Sequence, residues 1–236
     1  MQAFLRFMGH GFCHQIPSRC FESGGLVFSV CARDTGIYLG FFFTLLVMFI
    51  IHARVKIKPG DLPSWRYLIV LALFVVPLAF DGLSSYLGIR STTNVIRYLT
   101  GLPTGIAAGT VITPLLFVLR KDADPKKKIL SKPSTFVIQL IATLVLGLAF
   151  LFGYPYLGVV SPFLVVVAFL TIVVSINLIL FTLSKRFYPR HTWKHWLLLL
   201  ALCLVLAFVE IAVFGELRDL MVLTVMGGHD FSYFMQ

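Results

Sequence analysis

Charge is scarce in this chain. Only 13% of its 236 residues are Asp, Glu, Lys or Arg, and only ten are acidic. A soluble domain carries about 25% charged and about 45–50% apolar residues. Here 58% are apolar, so a water-soluble globular protein is excluded, as is a disordered chain. Cysteine is also sparse, at four residues. Residues 1–12 lack the charged start, apolar run and small-residue cleavage site of a secretory leader, so no cleavable signal is expected. What remains, with twenty-three Phe and long Leu/Val/Ile runs, is a polytopic α-helical membrane protein.

A spanning helix needs about 20 mostly apolar residues. Six stretches qualify: 36–53, 67–87, 93–119, 134–153, 157–183 and 195–214. Their connections are rich in Lys, Arg, Pro and Gly. Fourteen of the twenty basic residues fall in the first, third and fifth connections. Positive loops stay cytoplasmic, which places both termini outside. The net charge of +10 is thereby read as topology rather than as nucleic-acid binding. Arg6, Arg19, Arg33, Arg90, Arg97 and Arg218 are left on the outer side, and none of the six is Lys. A forked guanidinium suits a fixed carboxylate or phosphate better than a point charge does.

Polar residues gather in two places. The first 35 residues read as an ordered extracytoplasmic segment, an outer loop that can re-enter the membrane, holding Cys13, His14, Arg19, Cys20, Cys31, Arg33 and Asp34. The second begins at Asp81 and runs through Arg90 and Asn94 to Arg97. Ser91 or Thr92 suits the cap of the third span. Asn94, Arg97 and Gly101 share one helix face, and Gly105 and Gly109 continue it as a small-residue stripe for close helix packing. Asp81, Arg97 and Glu210 are expected at similar depth, with an Asp81–Arg97 ion pair as the simplest arrangement.

The motifs Cys13-His14-Gln15-x-Pro17-x-Arg19, Cys31-Ala32-Arg33-x-Thr35-Gly36-Ile37-Tyr38-x-Gly40, Asp81-Gly82 and Asn94-x-x-Arg97-x-x-x-Gly101 recur in a known order. In them the chain resembles a prokaryotic family of small membrane proteins, domain of unknown function number two thousand and eighty-five. The resemblance covers residues 10–120 and implies a membrane fold with an ordered polar site. It implies no particular activity. Family members often carry a second cysteine three places after the one matching Cys31, where this chain has Asp34. The chain thus divides into residues 1–120, which carry the polar site, and residues 121–236, three further spans without a recognisable motif.

Three chemistries fit these residues. Cys13, His14, Cys31 and Asp34 offer two sulfurs, an imidazole and a carboxylate, a set that zinc accepts. The same sulfurs could instead form a Cys13–Cys31 disulfide, or remain free thiols. Arg19, Arg33, Arg90, Asn94 and Arg97 could surround a phosphate-bearing lipid head group, with His14 or Asp81 as general acid or base. Cys13 as a nucleophile would need a second histidine, such as His10 or His229. The leading expectation is an extracytoplasmic-interface site that binds a phosphate-bearing lipid or similar anionic amphiphile; zinc at the Cys/His set would make it compatible with a lipid hydrolase or transferase, and whether the protein is an enzyme stays open. The alternatives are a transporter or flippase, or a non-catalytic scaffold whose Cys/His loop is structural. Membrane lipids are the expected partners, nucleic acid is not, and the sequence is compatible with a homo-oligomer.

Overall fold

The computed structural model describes residues 1–120, 122–183 and 193–225. It is an all-α membrane bundle. Among the described residues, six helical stretches are long and apolar enough to cross a membrane: Ala32–His52, Trp65–Tyr86, Asn94–Val118, Pro133–Gly153, Val160–Thr182 and Trp193–Thr224. Five of these are the continuous helices α2 (Ala32–His52), α5 (Asn94–Val118), α6 (Pro133–Gly153), α7 (Val160–Leu183) and α8 (Trp193–Val225). The second stretch, expected as one helix, is broken into α3 (Trp65–Leu73) and α4 (Val76–Tyr86). Pro77 supplies the reason: it has no N–H to donate, and its ring crowds the carbonyl of Leu73.

The bundle is organised around α2 and α5. Gly36 and Gly40 on α2 oppose Gly101, Gly105 and Gly109 on α5. A Cβ added to Gly101 would strike the carbonyl oxygen of Arg33, and one on Gly105 that of Ile37. A Cβ on Gly40 would lie 2.5 Å from the carbonyl oxygen of Leu102. The stripe is therefore a packing device that brings two backbones into contact. Helix α6 seals one side of the pair: Tyr98 Oη donates to the carbonyl of Gly147 at 2.8 Å, and Gln139 Nε2 donates to Thr110 Oγ1 at 2.8 Å.

The N-terminal segment is not a loop. It folds into α1 (Gln2–His10), a single 3-10 turn at Pro17–Arg19, and a hairpin of β1 (Cys20–Ser23) with β2 (Leu26–Cys31). Gly24 and Gly25 make the turn at φ 60° and 73°, the left-handed region that favours glycine. Phe21 and Phe28 insert among Tyr98, Phe150 and Tyr154, with 4.7 Å between the Phe21 and Tyr154 ring centroids. Ser23 Oγ donates to the carbonyl of Tyr154 at 2.9 Å. The hairpin thereby caps one end of the bundle. Leu5 and Met8 on α1 are fully buried against Val166, Phe169 and Ile211.

The opposite end is basic. β3 (Lys58–Asp61) pairs in parallel with β4 (Ala123–Lys128), joining two of the basic connections, and Lys127 Nζ donates to the carbonyl of Ile57 at 3.1 Å. Lys58 is buried and caps the end of α2 through the carbonyls of His52, Ala53 and Val55. Lys121, Lys185, Arg186, Arg190 and His229 lie outside the described residues.

Gly105→Val is expected to destabilise by roughly 1–3 kcal/mol, the usual cost of overpacking. Gly153→Ala, whose Cβ would meet nothing within 4 Å, should be neutral. Thermal unfolding in detergent compares them. Equal melting temperatures would contradict the close backbone contact.

Candidate functional site

Strand β2 runs straight into α2, and Cys31 is the hinge. It ends the strand and serves as N-cap residue of the helix. Asp34 follows in the first turn, on the side that returns towards the cap. Cys31 Sγ donates to Asp34 Oδ2 at 3.2 Å, and the Cys31 N–H donates to Cys13 Sγ at 3.1 Å. One ligand atom from each of Cys13, Cys31 and Asp34 lies within 4.8 Å of the others. Three of the four expected metal ligands are therefore brought together. The fourth, His14, borders the adjoining cavity with Cys31. The hydrogen bond with Cys13, then burial and the Asp34 carboxylate, push the Cys31 thiol well above its ordinary value. Burial, then Cys31 and Asp34, push the Cys20 thiol up to about 12.

Beside the thiols lies a cavity of about 30 Å³, bordered by His14, Arg19, Cys31, Arg33, Tyr86 and Arg97. Three of its six named walls are guanidinium groups. Asn94 braces the floor: its Nδ2 donates to the carbonyls of Ser18 and Cys20 at 3.2 and 3.1 Å. Thr93, rather than Ser91 or Thr92, caps α5, its Oγ1 accepting from the Ile96 N–H at 3.3 Å. Gln15, which the first motif contains but which was given no role there, clamps the His14 loop. Its amide donates to the carbonyls of Arg6 and Ser29 at 2.7 and 2.9 Å, and its φ of 53° is unusual for a residue with a Cβ.

The expected Asp81–Arg97 pair does not form. Asp81, 1% exposed, accepts from Arg33 Nη2 at 2.5 Å and from Arg90 Nη2 at 3.2 Å. Both carboxylate oxygens are thus engaged, and Asp81 is not among the residues bordering the cavity. Arg97 donates instead to Asn94 Oδ1 at 3.0 Å. The reason is rotational: Asn94 and Arg97 lie three residues apart on α5 and meet on its surface, while Asp81 reaches Arg33 at the start of α2. Arg97 is 9% exposed and forms no ion pair among the described residues. Arg33 Nε is buried with no hydrogen-bond partner.

Two other expected participants lie elsewhere. Glu210 accepts from Asn177 Nδ2 at 3.0 Å. Asn177 sits about two turns along α7 beyond Phe169, which packs on Tyr38, so Glu210 is deeper than the arginine layer. His10 pairs through Nε2 with Asp219 Oδ1 at 2.8 Å and tethers α1 to α8.

The pairing of Asp81 can be tested by rescue. Asp81→Leu alone should cost roughly 3–5 kcal/mol, the penalty for stripping one partner from a buried ion pair. Adding Arg33→Met should recover most of it, because Arg90 is 45% exposed and can turn to solvent. Adding Arg97→Met should not. Melting temperatures of the three variants decide the matter, and rescue by Arg97→Met alone would contradict the observed pairing.

Comparison with known proteins places these residues in context. The family model described as "Predicted membrane protein (DUF2085)" matches residues 13–111, a stretch that contains every residue bordering the arginine cavity. An uncharacterized protein of Methanothermobacter thermautotrophicus is 40% identical over 104 residues, which is 44% of this chain and 86% of that one. An uncharacterized protein of Methanocaldococcus jannaschii is 36% identical over 106 residues, 44% of this chain and 64% of the relative. No solved structure matches. The N-terminal motifs, the six apolar spans and the archaeal relatives agree: the chain belongs to the membrane-protein family DUF2085.

Proposed function

We propose that this multi-pass membrane protein binds the head group of a phosphate-bearing lipid or similar anionic amphiphile at the extracytoplasmic interface. The observation that carries the reading is the charge of Arg97 at the cavity wall. Arg97 is nine-tenths buried, its hydrogen bond goes to the neutral Asn94, and it forms no ion pair among the described residues; Arg33, bordering the same cavity, keeps an unbonded Nε. A buried cation without a carboxylate is costly unless an anion joins it. About 30 Å³ is room for one water. One phosphate oxygen is of similar size, so the head group would insert an oxygen and leave its remainder in the mouth.

Orientation rests on charge. Two basic connections meet at the end opposite the cavity, the end that the positive-inside rule assigns to the cytoplasm. The cavity then faces outward.

A metal next to this anion fits the donor set. Cys13, Cys31 and Asp34, with His14, would hold zinc through two sulfurs, an oxygen and a nitrogen. Zinc binding would exchange one dication for two thiol protons, leaving the local charge unchanged. The arginine cavity would stay as positive as before, so metal and head group could be held together. With zinc held by Cys13, Cys31 and Asp34 alone, its fourth position would stay open, and the site would have the parts of a lipid hydrolase or transferase: a Lewis acid, guanidinium groups around the phosphate, and His14, not then a ligand, to carry a proton.

The test uses purified protein in nanodiscs with two probes of equal chain length, a dodecyl phosphate and a dodecyl maltoside. The phosphate should bind in preference. Arg97→Lys should weaken that binding about tenfold, the value of one charge-assisted hydrogen bond, with an unchanged melting temperature. About one zinc per chain should be found by elemental analysis and lost in Cys31→Ser. Cysteines introduced at 122–132 should be shielded from impermeant thiol reagents in intact cells. Equal binding of the two probes, or an Arg97→Lys variant that binds normally, would overturn the head-group reading.

A further inference from the structure

A second cavity adjoins the first, and its chemistry is the opposite. It lies between the chain leaving α1 and the last turns of α8, with a volume of about 350 Å³. Gly11, Phe12, Cys13, Phe214, Leu217 and Met221 line it, together with His14 and Arg218. That size falls within the range of small-molecule pockets, about 300–1,000 Å³. Gly11 makes the close approach possible, since a Cβ there would lie 2.7 Å from the backbone of Phe214 and Gly215. The width is fixed by the tethers between the two elements. His10 pairs with Asp219 at 2.8 Å, and Arg218 Nη1 donates to the carbonyls of His10 and Cys13 at 2.6 and 3.0 Å. Phe12 is wedged between Phe169 and Phe214, each at a centroid distance of 5.1 Å.

The connection between the cavities is His14, which borders both. Cys13 faces the apolar side and Cys31 the polar side, while their sulfur atoms belong to one cluster. A molecule held at both cavities must therefore carry an anionic oxygen and an apolar chain close together. Its junction would lie against His14 and the thiol cluster. A third cavity, about 440 Å³ and bordered by Leu45, Phe49, Leu116, Leu178 and Leu200, shares no residue with the polar one. It sits near the opposite ends of α2 and α5.

We propose that the amphiphile bound at the arginine cavity lodges a hydrocarbon chain between α1 and α8. This rests on the head-group reading above and narrows it: an alkyl or isoprenoid phosphate, whose chain begins directly at the phosphate, fits two cavities that share the border residue His14. The bond nearest the cysteine and histidine donors would be the one joining phosphate to chain.

The direct test locates the chain. A dodecyl phosphate with a photoreactive diazirine in mid-chain is bound to the full-length protein in nanodiscs, irradiated, and the labelled residues are mapped by mass spectrometry. Labels should fall on Phe12, Phe214, Leu217 and Met221. Leu217 is half-exposed, so Leu217→Trp should fold and fill the cavity, and labelling there should be lost; Met221→Trp serves as a second variant with the same expected loss. A maltoside carrying the same diazirine chain should label the cavity no more than it labels other lipid-facing residues. Labels scattered over lipid-facing residues such as Phe80 and Val137, with phosphate binding still dependent on Arg97, would mean annular lipid only. That result would overturn the chain site and leave the head-group reading standing. If binding does not depend on Arg97, both fall.

Discussion

Backbone contact between α2 and α5 is the constraint on which the polar site depends. Cys31, Arg33 and Asp34 stand at the start of α2, and Asn94 and Arg97 at the start of α5. Side chains of ordinary size between the helices would hold their axes 8–10 Å apart. The glycines at 36, 40, 101, 105 and 109 remove that spacing, so the first turns meet. Gly101 bears directly on the carbonyl of Arg33. One small-residue stripe therefore sets both the packing of the bundle and the position of two arginines at one cavity.

The second organising feature is charge. Four arginines, 19, 33, 90 and 97, converge near one fully engaged carboxylate, Asp81. Asp34 accepts the Cys31 thiol and forms no ion pair with them among the described residues. A site built only for stability would match each buried cation with an anion, or replace the pair with apolar groups at little cost. Here a guanidinium is held in place by Asn94, and Asn94 is itself held by the carbonyls of Ser18 and Cys20. The N-terminal hairpin is thus part of the arginine's support and not merely a lid on the bundle.

Much of this was legible in the sequence. Long apolar runs in a charge-poor chain gave the spans, because hydropathy over about 20 residues is a strong signal. Gly101, Gly105 and Gly109 at intervals of four announced a packing stripe, and the cysteine and arginine motifs named the cluster. Other features depended on geometry that spacing does not encode. Spacing along the chain offered Arg97 as the partner of Asp81, and only the folded packing pairs Asp81 with Arg33 and Arg90 instead. The hairpin was hidden because its strands are four and six residues long and one of them runs straight into a helix. Helix α8 continues past residue 214 although Glu216, Arg218 and Asp219 end the hydropathic run, since two of those charges are bonded to α1. Glu210 looked like a member of the site by its depth along the chain, yet its partner is Asn177 on a neighbouring helix. The apolar cavity beside Cys13 joins residues more than 200 positions apart, beyond any local pattern.

The central claim is that Arg33 and Arg97 jointly grip an anionic oxygen. The most direct measurement is a solid-state NMR distance experiment on protein with ¹⁵N-labelled arginine side chains and bound dodecyl phosphate. The account predicts ³¹P–¹⁵N dipolar contacts from the phosphorus to guanidinium nitrogens, weakened in Arg33→Lys and in Arg97→Lys. A bound phosphate whose phosphorus contacts neither guanidinium, with the ³¹P signal unchanged in both variants, would contradict it.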